Sequence, residues 1–293
     1  MEVQLKEYKT NEELINLLVS KGVIVKNKND AIKKIEKYTY YNVINSYKHI
    51  FKDRNNNYKS NVSFNEIYAL YNFDKKLRYI MLKYVLEIET VIKSLIANTL
   101  SNRYGLKNYL NIDNLDNNAK TKVKENIIEK INGEIRHNYK SHSAITHYID
   151  KYNYIPPFIL IKILSFGVTS SLYGLLKQND RQQVSKYFKI SDKLLKQILK
   201  NLTSVRNICA HNERLYCFRD KYTINFKVID KNYKSKDNTT NFYMIANILK
   251  LVLDKKDYKE MISQIKKEIK YLRTKLNSID VDNVLRVMGY PSV

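Results

Sequence analysis

The stretch from Phe64 to about Tyr104 constrains this chain more than any other part of it. Leu70, Phe73, Leu77, Ile80, Met81, Tyr84, Ile88, Val91, Ile92, Leu95 and Ile96 recur at three- and four-residue intervals and trace the core side of one long helix. Its polar members are Asp74, Arg78, Glu87, Glu89 and Lys93. A carboxylate pointing inward from this helix could orient Arg206 or His211, while Glu89 with Lys93 has the spacing of an ordinary surface pair, the commoner case. With only six Gly and three Pro in 293 residues, long helices are expected elsewhere too, and intricate β architecture is not.

Upstream, Asn11 to Ser20 reads as a helix that leaves at Lys21-Gly22, and Asn29-Asp30 reads as the cap of a second helix towards Tyr38. Tyr40 to Phe51 looks like another helix, and Asp53 to Ser63 like a polar loop. Downstream, an amphipathic helix surrounds Val123, Ile127, Ile128 and Ile131. His137, His142 and His147 recur at a spacing of five that matches no common metal motif, so they read as solvated loop histidines. Pro156-Pro157 starts a helix, Phe158 to Leu176 is apolar enough to be buried on several sides, and Ser191 caps the next long helix. Tyr222, Ile224, Phe226 and Val228 alternate with polar residues, the pattern of a short strand or hairpin. A Lys/Asn loop from Asp230 to Asn241 precedes two more helices with lysines outward.

The helix after Ser191 carries the chemistry. Leu194, Leu195, Ile198, Leu199, Leu202, Val205, Ile208 and Cys209 form its apolar stripe. At roughly 100° per residue, Asn207, His211 and Arg214 continue the polar line of Lys200 and Thr203, with Arg206 at the flank of the stripe. Histidine takes or gives a proton near neutral pH, and the arginine fork suits a phosphate oxygen, so phosphoryl chemistry is the economical inference. The competing reading of the same residues is a surface ion pair or a cation complementing the helix dipole.

Charge and cysteine usage set the partners. The formal net charge is +23, from 52 Lys and Arg against 29 Asp and Glu, which favours a polyanion and nucleic acid first, although abundant Lys, Asn, Ile and Tyr also reflect a composition biased towards A and T codons. Cys209 and Cys217 lie outside any metal spacing, so no metal is expected and a reduced, cytoplasmic setting fits. Met1 to Lys6 lacks the layout of a signal peptide, and Lys162 breaks the most apolar run, so no membrane association is expected.

Arg206-Asn207-Ile208-Cys209-Ala210-His211 with Arg214-Leu215-Tyr216 resembles the terminal signature of the bacterial Abi-like family, the AbiD/AbiF group of phage abortive-infection proteins, and has the R-x4-H form of the HEPN superfamily. The resemblance extends through Leu17-Leu18, Lys21-Gly22, Ala31-Ile32, Tyr40-Tyr41, Leu70 to Arg78, Ile88-Glu89, Ile163 to Gly167 and Met288 to Pro291 in the family's order. Asn212 stands where the family often has a second histidine, and Lys93 where an arginine often follows the Ile-Glu pair.

This resemblance implies an all-α, mainly helical protein. It would be a HEPN-like helical bundle core with small extra helices and room for one short β-hairpin, forming a single Abi-like domain over 1–293. Within it, an N-terminal helical part would span 1–63, the core 64–217, and a hairpin with helices 218–293. It further implies a cofactor-free, metal-independent endoribonuclease in anti-phage defence, with Arg206, Asn207 and His211 catalytic and Arg214, Glu89, Lys93 and Arg78 binding RNA or supporting the site. RNA would be the substrate, a small non-coding RNA the restraint, and a homodimer the working form. A non-catalytic module holding a structured small RNA is the alternative.

Overall fold

The computed structural model describes residues 7–233 and 239–291, so the reading of Met1 to Lys6 and the middle of the Asp230–Asn241 loop lie outside the described residues. The protein is mainly helical, as expected. In chain order the helices are α1 (Asn11–Ser20), α2 (Lys28–Tyr38), α3 (Phe64–Tyr104), α4 (Thr121–Asn138), α5 (Ser143–Tyr152) and α6 (Pro157–Ile163). They continue with α7 (Phe166–Leu175), α8 (Gln178–Tyr187), α9 (Asp192–Ala210), α10 (Phe242–Ile248), α11 (Lys255–Arg273) and α12 (Val281–Met288). The described residues form two units that interleave along the chain: one comprises 1–80, 212–218 and 259–293, the other 81–211 and 219–258.

In the first unit, α1 and α3 begin with the same device. Thr10 and Glu13 exchange side-chain and backbone bonds as a capping box, and Ser63 and Glu66 do likewise, at 3.0 and 3.3 Å. Asn27, rather than Asn29, caps α2 by accepting from the Asp30 N–H. Tyr40 to Phe51 is not a regular helix: a π-turn over Tyr41–Asn45 and a 3-10 turn over Lys48–Phe51 replace it. That irregular path buries Val43, Ile44, Tyr47 and Phe51.

In the second unit the apolar run from Phe158 is two helices, because Leu164 is extended and Ser165 caps α7 by accepting from the Val168 N–H at 3.3 Å. Here α9 packs against α7, α8 and α10, and α7 also packs against α4. Ser191 caps α9 as expected. The strand or hairpin expected over Tyr222–Val228 does not form there: Phe226–Val228 is a 3-10 turn, and among the described residues the sheet is Arg219–Asp220 (β1) antiparallel to Thr240–Asn241 (β2). Side chains take the place of a partner strand. Asn201 donates to the Tyr222 carbonyl at 2.9 Å, the Thr240 hydroxyl accepts from the Ile224 N–H at 3.2 Å, and Gln197 accepts from the Asn225 N–H at 3.3 Å.

Glu66 does more than cap. Its Oε1 accepts from the Asn277 and Ser278 N–H groups at 2.8 and 2.6 Å and from the Ser278 hydroxyl at 2.8 Å. Burial pushes this carboxyl up, but the Ser278 and Asn277 N–H groups and the hydroxyls of Ser63 and Ser278 outweigh it and hold Glu66 below its ordinary value. A depressed carboxyl stabilises the fold above its unfolded value, and that contribution disappears as pH falls through the folded one. Glu66→Gln is therefore expected to cost about 2–3 kcal/mol at neutral pH. Urea unfolding should show the gap to wild type closing on acidification, and a gap constant with pH would contradict this role.

Candidate functional site

The end of α9 is where local sequence and tertiary packing meet. Val205 and Cys209 are buried on the core side, which leaves Asn207, Ala210 and His211 exposed and Arg206 partly so. The helix stops at Ala210, with His211 at the cap position donating its backbone N–H to the Asn207 carbonyl at 2.9 Å. Asn212 follows in the left-handed region at φ 58°, a conformation that asparagine tolerates better than most residues and that ends helices. Arg214 thus lies beyond the helix and off its polar line, contrary to the sequence expectation.

Arg206 faces a carboxylate of α3. Its Nε lies 3.9 Å from Glu89 Oε2, while Lys93 Nζ pairs with Glu89 Oε1 at 2.7 Å. Arg206 Nε and Glu89 Oε2 are both buried and neither has a hydrogen-bond partner, so the ion pair is their mutual interaction. The Glu89 side chain is 10% exposed against 35% for Arg206, which leaves part of the arginine side chain open to solvent. The surface pair and the inward orienting carboxylate suggested by the sequence are one residue: Glu89 serves Lys93 and Arg206 together.

Asn207 and His211 stand one turn apart on the exposed side of the same helix. The R-x4-H spacing separates Arg206 from His211 by roughly 7.5 Å along the axis. The structure thus gathers Arg206, Glu89 and Lys93 by contact, and Asn207 and His211 by helical register. An exposed imidazole can exchange protons with a bound substrate, a guanidinium can bind a phosphoryl oxygen, and a carboxamide can hold either by hydrogen bonds.

Arg78 and Arg214 have different places. Arg78 is 2% exposed; its Nη1 pairs with Asp74 at 2.7 Å and donates to the Tyr47 hydroxyl and the Glu213 carbonyl, both at 3.2 Å. Arg214 is exposed and donates to the Ser46 carbonyl at 2.8 Å. Asp74 itself is fully buried and surrounded by donors. The Tyr47 hydroxyl (2.6 Å), the Arg78 guanidinium, and the backbone N–H groups of Leu215 (3.2 Å) and Tyr216 (2.6 Å) all face it. Burial pushes the Asp74 carboxyl up and Arg78 opposes that push; with only donors around it, the cluster accommodates the carboxylate. Burial and the facing carboxylate also raise the Tyr47 hydroxyl far above the tyrosine range, so it remains a donor.

This cluster was legible only in part. Asp74 and Arg78 have the i,i+4 spacing of an ion pair, but nothing local announces Tyr47 or the two backbone donors. Its function is to hold the Asn212–Tyr216 segment. Asp74→Ala is expected to cost about 3–5 kcal/mol, mostly because a buried guanidinium is stranded. Adding Arg78→Met should recover part of that loss in urea unfolding; a double variant no more stable than Asp74→Ala would show that the pair is not the source.

A cleft of about 680 Å³ opens elsewhere in the second unit, lined by α4, α7, α9 and Tyr222. Sequence reading missed it, apart from the line of Lys200 and Thr203 on α9 and the small residues of Ser165-Phe166-Gly167, because its walls meet only in the folded unit.

Comparison with known proteins places this geometry in context. The profile of the Abi-like protein family matches residues 33–217, a span that ends just past the Arg206–Tyr216 signature. Neither the curated proteins nor the solved structures contain a match. The matched span covers well over half of the chain, and the protein belongs to the Abi-like family.

Proposed function

We propose that this protein is a metal-independent endoribonuclease of the HEPN type that acts in abortive infection, with the α9 terminus as its catalytic element. The observation that carries this reading is the R-x4-H signature at the end of the family span, with Arg206 paired to a buried carboxylate and Asn207 and His211 exposed one turn apart. A structured small RNA restrains the nuclease until infection in this reading, consistent with a net charge of +23.

The chemistry needs no activated water. The 2′-hydroxyl of the RNA attacks the adjacent phosphorus, forming the P–O2′ bond as the P–O5′ bond breaks. The products are a 2′,3′-cyclic phosphate and a 5′-hydroxyl. His211 removes the 2′ proton or delivers one to the departing 5′ oxygen. Arg206, oriented by Glu89, stabilises the extra negative charge on the pentacoordinate phosphorus, and Asn207 holds the imidazole or a phosphoryl oxygen. Two histidines divide the two proton transfers more effectively than one, which can assist only one of them at a time. Two chains around a two-fold axis would supply two His211 and two Arg206 to one phosphate, so the working form is a homodimer with a composite site. Cytoplasmic RNA is the substrate.

His211→Ala and Arg206→Ala should each lower RNA cleavage by about 10²–10⁴-fold; His211→Ala should leave thermal unfolding unchanged, while Arg206→Ala, which strands an oxygen of Glu89, should stay folded with a lower unfolding temperature. Mixing the two inactive variants should restore partial activity, because a mixed dimer retains one histidine and one arginine at the shared phosphate. Equal cleavage by wild type and His211→Ala would remove His211 from the reaction, and RNA binding without cleavage by wild type would leave a module that only holds RNA. Mixtures that stay inactive, although the subunits exchange, would place each site within one chain.

A further inference from the structure

The cleft between α4, α7 and α9 has the makings of a nucleotide subsite. Its floor includes the N-terminus of α7, where Gly167 has no side chain and the α9 wall comes close: a Cβ on Gly167 would sit 3.5 Å from Thr203 Cγ2. The Val168 N–H is occupied by Ser165, whereas the Gly167 N–H points from the first turn without an intrahelical acceptor, in the manner of an anion-binding helix end.

Ser170 adds a hydroxyl to the cleft wall. It is 7% exposed and lines the cleft, and its hydroxyl, which bonds no protein group, is still open to solvent. Its neighbours Thr169 and Ser171 both use theirs on backbone carbonyls one turn back, at 3.0 and 2.9 Å. A wall hydroxyl that is not spent on the helix's own carbonyls can bond a ligand in the cleft.

The remaining wall suits the other parts of a nucleotide. Tyr222 is 42% exposed, and its ring carries the Lys200 ammonium at 5.1 Å and the Lys221 ammonium at 5.6 Å from the centroid. An aromatic face beside a cation is the usual platform for an unpaired base. Lys130 adds a second positive charge, and Glu134 contributes a carboxylate that would repel a bare anion but accept from ribose hydroxyls. The mixture fits a sugar-phosphate with a base better than it fits an inorganic anion.

Position links the cleft to the signature. Thr203, Asn207 and His211 follow one another at four-residue intervals on α9, so they form a single line along the helix. Ser204, at the cleft, is roughly 10 Å along the axis from His211. We propose that the cleft binds one nucleotide of a single-stranded RNA next to the phosphate that His211 addresses, with the base on Tyr222 and the sugar-phosphate against Ser170, Lys200 and the α7 N-terminus. This rests on the nuclease reading for the role of the neighbouring phosphate, but the binding of the nucleotide can be measured without cleavage.

The experiment is fluorescence anisotropy with a labelled single-stranded oligoribonucleotide of mixed sequence, on the full chain carrying His211→Ala so that nothing is cut. Tyr222→Leu should weaken binding by about tenfold, and Lys200→Gln and Ser170→Ala by several-fold, with unfolding temperatures unchanged. Lys266→Gln, on the exposed side of α11, controls for general loss of charge and should change affinity least. Tyr222 and Lys200 are exposed enough that their variants report on binding even if Ser170→Ala loosens the fold. Competition by a nucleoside monophosphate at the same variants would support the subsite.

Affinity indifferent to all three cleft substitutions, a loss in Lys266→Gln as large as in Tyr222→Leu, or no RNA binding at all overturns the proposal. If wild type cuts RNA through His211 but the cleft variants bind normally, the subsite alone falls. Cleft-dependent binding in a protein without nuclease activity overturns the nuclease reading and leaves the nucleotide site standing.

Discussion

The interaction on which the functional end of this protein depends is the grip of one buried carboxylate, Glu89, on two cations. Lys93 neutralises it along α3 at 2.7 Å, and Arg206 meets its other oxygen from α9 at 3.9 Å. A carboxylate that is nearly out of water needs compensation, and one lysine leaves an oxygen over. The arginine that takes up that remainder is held near the close of the helix, with part of its side chain still open to solvent. The compensation of a buried charge and the orientation that the proposed nuclease asks of its arginine are thus met by the same contact.

The long helix uses this device three times. Glu66 gathers the N–H groups of Asn277 and Ser278, and Asp74 gathers those of Leu215 and Tyr216, each within the first unit. Glu89 gathers side-chain cations in the second. Glu66 and Asp74 each bind a segment distant in sequence whose N–H groups have no regular secondary structure to satisfy them, and Glu89 binds a helix, so α3 organises irregular chain as well as helices. Arg78 belongs to this framework rather than to an RNA-binding surface, since its guanidinium is consumed by Asp74, Tyr47 and Glu213.

What could be read beforehand follows from how local each signal is. The long helix and α9 are written in their own apolar periodicity, and Ser191 is a local cap. The Arg206 to His211 spacing needed no tertiary information either. Failures came where local patterns have two solutions. Alternation from Tyr222 to Val228 fits a strand, but Asn201, Gln197 and Thr240 satisfy that backbone through side chains. Arg214 shares helical phase with His211 only if the helix continues, and Asn212 ends it in a left-handed turn. The Glu89–Arg206 contact was foreseeable as a type but not as a fact, and the Ser170 cleft was invisible because its residues come from four separated segments.

The central claim is that RNA is cut by its own 2′-hydroxyl under the guidance of His211 and Arg206. The most direct test uses purified protein, EDTA, and a matched pair of RNAs that differ only by a 2′-deoxy sugar at the mapped cleavage position. The account predicts cleavage of the all-ribose strand to 2′,3′-cyclic phosphate and 5′-hydroxyl ends and no cleavage at the deoxy position. Cuts that persist at the deoxy sugar, or that leave 5′-phosphates, would contradict it.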